Sequence, residues 1–187
     1  MGNLGTSVYD AFSFLEKFSA DVSKLVTLVE ENLKNERLIA LGDAATFWDH
    51  SRAFYAPGQW LPKYIIRHYT EDLEPEAKRA WKAPWLLFFA VYLYPDQFGQ
   101  PIAAWGSITQ AAAKSFWHLL KSAEVYRRDP QFLTSVPAKE WTEVKDLPDS
   151  FSIFKYQSTW LTELKDAKTV DSVVIEPLVE EARILKR

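Results

Sequence analysis

Trp85-Leu86-Leu87-Phe88-Phe89-Ala90-Val91-Tyr92-Leu93-Tyr94 is the stretch on which the fold turns. It carries no charge, shows no alternation of apolar and polar residues, and is fenced by Pro84 and Pro95. The run is about half of the ~20 residues that a membrane-crossing helix requires, so no membrane span is expected. A short, wholly apolar run of this kind describes a strand buried on both faces, hence a central strand with helices covering the sheet on each side. Asp96-Gln97-Phe98-Gly99 reads as a turn, and residues 101–109 as the second strand of a hairpin.

On the N-terminal side, Val8, Phe12, Leu15, Val22, Leu25, Val26, Val29 and Leu33 fall at helical spacing, with Glu30, Glu31 and Lys34 on the other side. They predict one long helix or two short ones. The stripe would also serve as a homodimer seam, although packing on its own domain is the commoner use. Further helices are expected over 38–55, ending before Pro57-Gly58, after Trp60-Leu61-Pro62 through Tyr64, Ile65, Ile66 and His68, and over 74–81.

Beyond the hairpin, 111–126 reads as a helix with Phe116, Leu119, Leu120 and Ala123 inward. Pro137 and Pro148 fence a loop-like stretch, 152–156 and 159–164 read as short strands, and 177–187 as a closing helix with Pro177 in its first turn. Helices before, between and after strands indicate a single α+β domain over 1–187, with a central mixed sheet flanked by helices. Residues 1–37 form an N-terminal helical extension and 38–187 the core.

One core is the default for a chain of 187 residues, and 48% hydrophobic and 15% aromatic content supplies enough apolar side chain to offset chain entropy. A net charge of -3 and the absence of a Lys/Arg cluster with interleaved aromatics argue against nucleic acid as a partner. With no Cys there is no disulfide framework or thiolate chemistry, which points to a reducing compartment, the cytoplasm. The opening Met-Gly-Asn-Leu-Gly does not read as a secretory signal. Thr6 fits a myristoylation pattern after Gly2, but a helix-capping role alongside Ser7 is the commoner use.

Three histidines carry the candidate acid–base chemistry. His50 lies in Trp48-Asp49-His50-Ser51, whereas His68 and His118 sit in apolar contexts typical of structural imidazoles and are held in reserve. Three scattered histidines without Cys give no zinc spacing, so no metal is expected, and no glycine-rich phosphate loop or Gly-x-Ser-x-Gly elbow occurs. Glu163 sits in a strand-like apolar setting where desolvation would suit it to proton transfer or to orienting a histidine; an outward-facing strand carboxylate is the plain alternative.

Leu41-Gly42-Asp43-Ala44-Ala45-Thr46-Phe47-Trp48-Asp49-His50-Ser51 resembles the opening of the RTX toxin-activating lysine acyltransferases, the haemolysin-activating family, with its Leu-Gly-[Asn/His]-x-x-x-x-Trp-x-x-Ser pattern. In the same order follow Trp60-Leu61-Pro62, the 85–94 strand, Pro101-Ile102-Ala103-Ala104-Trp105-Gly106-Ser107, Glu140-Trp141-Thr142 and Trp160-Leu161-Thr162-Glu163, each similar to a family segment. The resemblance spans about 41–164 and implies a GNAT-like fold and transfer of a fatty acyl group from acyl carrier protein to internal lysines of a protoxin.

Carried onto this chain, it implies that His50 deprotonates the acceptor lysine while Glu163 orients the imidazole, with no cofactor beyond the acyl-carrier co-substrate. Trp48, Phe89, Val91 and Trp105 would line an acyl groove, and Lys121, Arg127 and Arg128 would meet the acidic carrier protein. A helix C-terminus favouring cations also accounts for the Arg pair. Two departures stand out. The family's histidine position falls on Phe54, one helical turn beyond His50, and its Asp is replaced by Glu163, followed by Lys165-Asp166-Ala167-Lys168 where the family has Ala-Pro-Phe. Aligning that segment instead to Ile175-Glu176-Pro177-Leu178 puts Val173 at the acid's position. The same architecture without the displaced histidine's chemistry would be a non-catalytic binding protein.

Overall fold

The structure is a computed structural model that describes residues 4–41, 45–48, 62–71, 83–93, 98–110, 133–134, 136–144 and 151–187. Its strands are β1 (Leu38–Ala40), β2 (Ala45–Trp48), β3 (Pro62–Glu71), β4 (Trp85–Tyr92), β5 (Ile102–Gln110), β6 (Ala138–Glu143) and β7 (Phe151–Trp160). They join one seven-stranded sheet in the order β1-β3-β4-β5-β7-β6, with β2 also pairing β3. Helix α1 (Leu4–Asn35) precedes the sheet; a 3-10 turn (Leu161–Glu163), α2 (Ala167–Val170), a π turn (Asp171–Ile175) and α3 (Glu176–Leu185) follow it.

The hairpin is where the sequence places it. β4 pairs with β5 from Trp85↔Thr109 to Tyr92↔Ile102, and all eight β4 residues are buried. Leu86, Phe88, Ala90 and Tyr92 join one core with Ile102, Ala104, Ile108, Phe154 and Tyr156. Trp85, Leu87, Phe89 and Val91 join the other with Ala103 and Trp105, beneath α1 and α3. A strand buried on both faces must be apolar throughout, which is why period-2 alternation is absent. At Gly106 the neighbouring strands leave no room for a side chain: a Cβ there would lie 2.1 Å from the Lys155 carbonyl oxygen and 2.7 Å from the Phe88 ring.

Every described pairing is antiparallel, so the mixed sheet expected from the sequence gives way to an antiparallel one. The expected helix over 38–55 is replaced in its described part by strands β1 and β2, which are too short to display a period of their own. The helix expected through Tyr64 to His68 is strand β3. Tyr64 and Ile66 enter one core while Ile65 and Tyr69 enter the other, and burial on both faces produces the consecutive apolar residues that mimic helical spacing. The loop-like stretch after Pro137 is edge strand β6. The strands expected over 152–156 and 159–164 are one strand, β7, ending in the 3-10 turn that carries Glu163. Helices expected over 74–81 and 111–126 lie outside the described residues.

α1 is one 32-residue helix. Its second half is part of the core, with Val22, Val29 and Leu33 buried, and Arg67 on β3 donates to Glu30 Oε2 from Nη2 at 2.6 Å and from Nε at 3.1 Å. The closing helix forms as expected, with Pro177 in its first turn and Leu178 and Ala182 inward. Among the described residues no helix is long and apolar enough to cross a membrane.

Candidate functional site

Two polar clusters lie on the face of the sheet that α3 covers, and both grow from register. β5 and β7 pair Ser107↔Lys155, Trp105↔Gln157 and Ala103↔Thr159, so these six side chains share that face. At the Thr159 end a cavity of about 370 Å³ opens, lined by Trp105, Gln157, Thr159, Glu163, Leu164 and Val173 together with Ala138, Lys139, Ser158, Thr169, Ser172 and Pro177. That volume falls within the range of small-molecule pockets.

The walls are tied together by hydrogen bonds. Trp105 Nε1 donates to Gln157 Oε1 at 3.0 Å, and Gln157 Nε2 donates to the Lys139 carbonyl on β6 at 2.7 Å, so the indole is fixed from two strands. The amide of Leu161 donates to the Pro101 carbonyl at 3.0 Å as β7 ends, and the 3-10 turn returns Glu163 to Thr159, whose hydroxyl donates to Glu163 Oε2. Glu163 is exposed, and its carboxylate forms no ion pair among the described residues. Next to the lining residue Thr169, Asp166 caps α2, accepting from Thr169 N at 2.8 Å and from Thr169 Oγ1 at 3.0 Å. Those bonds favour the carboxylate and lower its pKa.

The second cluster lies further along the same strands and buries its hydroxyl and carboxylate, with Lys155 only partly covered. Ser107 Oγ donates to Glu181 Oε1 at 2.8 Å. Glu181 Oε2 lies 2.7 Å from Lys155 Nζ, a contact of charge rather than of hydrogen-bond geometry. The same ammonium sits 5.2 Å from the centroid of the Trp141 ring.

Of the residues singled out in the sequence, Trp105 and Glu163 therefore meet at one cavity. Phe89 and Val91 share the core with Trp105 but are sealed in it and do not line the cavity. The backbone of Trp48 ends β2, with a register shift beside it; its side chain, and His50, Lys121, Arg127, Arg128 and the reserve His118, lie outside the described residues. Phe47, Tyr64, Tyr92, Ile102 and Trp160 follow one another across the sheet by register, so β2 and β7 finish at the same end of it. Four strand spacings separate them, about 19 Å.

His68 lies on β3 opposite Phe88, on the face away from the cavity. Burial, with the positive charge of Arg67 adding to it, lowers its pKa to about 4, so it is a neutral structural imidazole near pH 7. Burial also raises the Tyr69 phenol, helped by Glu30 and opposed by Arg67. No group of three or more metal-ligating side chains stands together among the described residues.

Sequence reasoning missed Gln157, Thr159, Lys155 and Glu181. Only Glu181 left a signal: it is three residues after Leu178 and four before Leu185, an inward position for a charged residue. No protein-family model, curated protein or solved structure matches this chain.

Proposed function

We propose that this chain is a protein-lysine fatty acyltransferase that takes its acyl group from acyl carrier protein, with the Trp105–Glu163 cavity as the place where the acceptor lysine is presented. The supporting observation is the convergence of Trp105 and Glu163 on one cavity. They come from different parts of the chain, and the toxin-activating resemblance marks both. The exposed Glu163 carboxylate, held by Thr159, suits an incoming ammonium group and, once a neighbouring base has taken the proton, an imidazolium. His50 is that base in the proposal. It follows β2, which finishes at the same end of the sheet as β7. Contact between His50 and Glu163 requires the chain beyond Trp48 to cross the ends of the intervening strands. A GNAT-like core belongs to the same proposal.

Acyl or amine binding without transfer is the second reading, and one observation favours it. The described residues lining the cavity include no imidazole or thiol, and polar side chains outnumber apolar ones. Incubation with acyl-loaded carrier protein and a candidate target, followed by mass spectrometry, separates the two. The transferase reading expects acyl-lysine on the target, lost with His50→Ala and sharply reduced with Glu163→Gln. Retention of the acyl-carrier complex on the protein with no acyl-lysine formed selects the binding reading.

A further inference from the structure

We propose that the cavity binds an ammonium and a carboxylate carried by one ligand, the ammonium on Glu163 and the carboxylate on Lys139, so that the acceptor it takes is a lysine accompanied by a carboxylate. The consequence for acyl transfer rests on the reading above, whereas the binding does not. Lys139 reaches the cavity through an irregularity in β6. Ala138 pairs with Ser158 and Thr142 with Tyr156, so three residues of β6 stand against Gln157 alone. A bulge of this kind re-aims side chains. Ala138 is buried in the core on the far face of the sheet, and Trp141 packs on the core of the near face. Successive strand side chains alternate between faces, which puts Lys139 with Trp141 on the cavity side.

Both charges are anchored against β7. Gln157 Nε2 donates to the Lys139 carbonyl at 2.7 Å, and the Thr159 hydroxyl donates to Glu163 Oε2. Gln157 and Thr159 stand two residues apart on one face of the strand, about 7 Å. Lys139 and Glu163 are the ionic side chains among the described residues lining the cavity, both are exposed, and neither forms an ion pair among the described residues. A singly charged ligand would leave one of them unmatched, whereas a ligand carrying both charges complements the pair. Trp105, Leu164 and Val173 add apolar wall for the methylenes of such a ligand. An extended lysine holds its ammonium about 7 Å from its own carboxyl carbon by standard bond lengths, which matches the spacing of the two anchors. The carboxylate has two sources in a protein target: the chain terminus when lysine is the last residue, or an acidic side chain beside the lysine.

Titration of the full chain with 6-aminohexanoate, hexylamine and hexanoate, followed by NMR, tests the binding. The zwitterion should bind about threefold to fivefold more tightly than either singly charged probe. Lys139→Gln should reduce 6-aminohexanoate to the affinity of hexylamine while leaving hexylamine unchanged, and Glu163→Gln should reduce it to that of hexanoate. Both side chains are exposed, so the far-UV dichroism of the variants should match wild type. Equal affinity for the three probes, no binding of any of them, or 6-aminohexanoate binding indifferent to Lys139→Gln overturns the proposal. Transfer from acyl-loaded carrier protein to three peptides then identifies the source of the carboxylate: one ending in a free lysine, one blocked at both ends with Glu beside the lysine, and one blocked with Ala there. Faster acylation of either of the first two, with that advantage lost in Lys139→Gln, supports the proposal and names the source. Equal acylation of all three overturns it and leaves acyl transfer standing. Selective binding of 6-aminohexanoate without acyl-lysine in any peptide supports the ammonium-carboxylate site and removes the transferase reading instead.

Discussion

Glu181 and Glu163 hold the same elementary arrangement in two surroundings on one face of the sheet. Each carboxylate accepts a hydrogen bond from a strand hydroxyl, Ser107 on β5 for the first and Thr159 on β7 for the second. Glu181 is sealed beneath α3, and Lys155 matches its charge at 2.7 Å. Glu163 stands exposed beside the cavity and forms no ion pair among the described residues. A desolvated carboxylate needs a counter-charge and becomes part of the structure, whereas one left in water can wait for a ligand to supply it. Chemistry alone does not separate the two residues; burial does.

Breaking the sealed pair gives the largest expected effect. Lys155→Met strands an anionic Glu181 in the core and should cost about 3–5 kcal/mol, read from urea unfolding. The double replacement Lys155→Met/Glu181→Leu removes both charges and should recover most of that loss, because a well-packed apolar pair replaces a desolvated ionic one at little net cost. If Lys155→Met leaves the midpoint unmoved, Glu181 is not the structural member of the comparison.

Acid unfolding needs a correction before either carboxylate can be read from it. The folded-state pKa of His68 lies near 4, below the ordinary 6.5, so the unfolded chain takes up the proton first. Its contribution to stability is present above pH 6.5 and is lost as the pH falls toward 4. A shift of that size corresponds to about 3 kcal/mol. Unfolding free energy should therefore decline over that window, and His68→Gln should flatten the decline. An equal slope in wild type and variant would place the acid sensitivity elsewhere.

These contrasts also show what a sequence can carry. The 85–94 run announced the central strand because burial on both faces leaves a chemical mark, namely the exclusion of every charge. β3 runs between the same two cores but is buried less completely, with Ile65, Arg67 and His68 only half-buried, and with those polar residues in place its Tyr64-Ile65-Ile66 core reads as a helix turn. Trp105 and Glu163 were legible through a resemblance of short segments. Thr159 and Gln157 were not, because their roles come from register with β5, and register is settled by pairing across distant parts of the chain. In the sequence Glu163 itself reads as a strand residue; only the 3-10 turn after Trp160 folds it back onto Thr159.

The smallest expected effect sharpens the comparison most. Thr159→Val keeps the shape of a buried side chain and deletes the hydroxyl that holds Glu163 Oε2. Because Glu163 is solvated, the lost bond should cost no more than about 1 kcal/mol of stability, and Glu163→Gln should stay within about 0.5 kcal/mol. The matching change in the sealed cluster, Ser107→Ala, leaves a buried carboxylate oxygen short of a donor and should cost about 1–3 kcal/mol. If Glu163 awaits a ligand, Thr159→Val should lower acyl-lysine formation in the transfer assay far more than it lowers stability, because it frees the carboxylate to turn away from the cavity. A loss of activity that merely tracks the loss of stability would instead make Thr159 a second Ser107, with Glu163 another structural carboxylate that happens to face water.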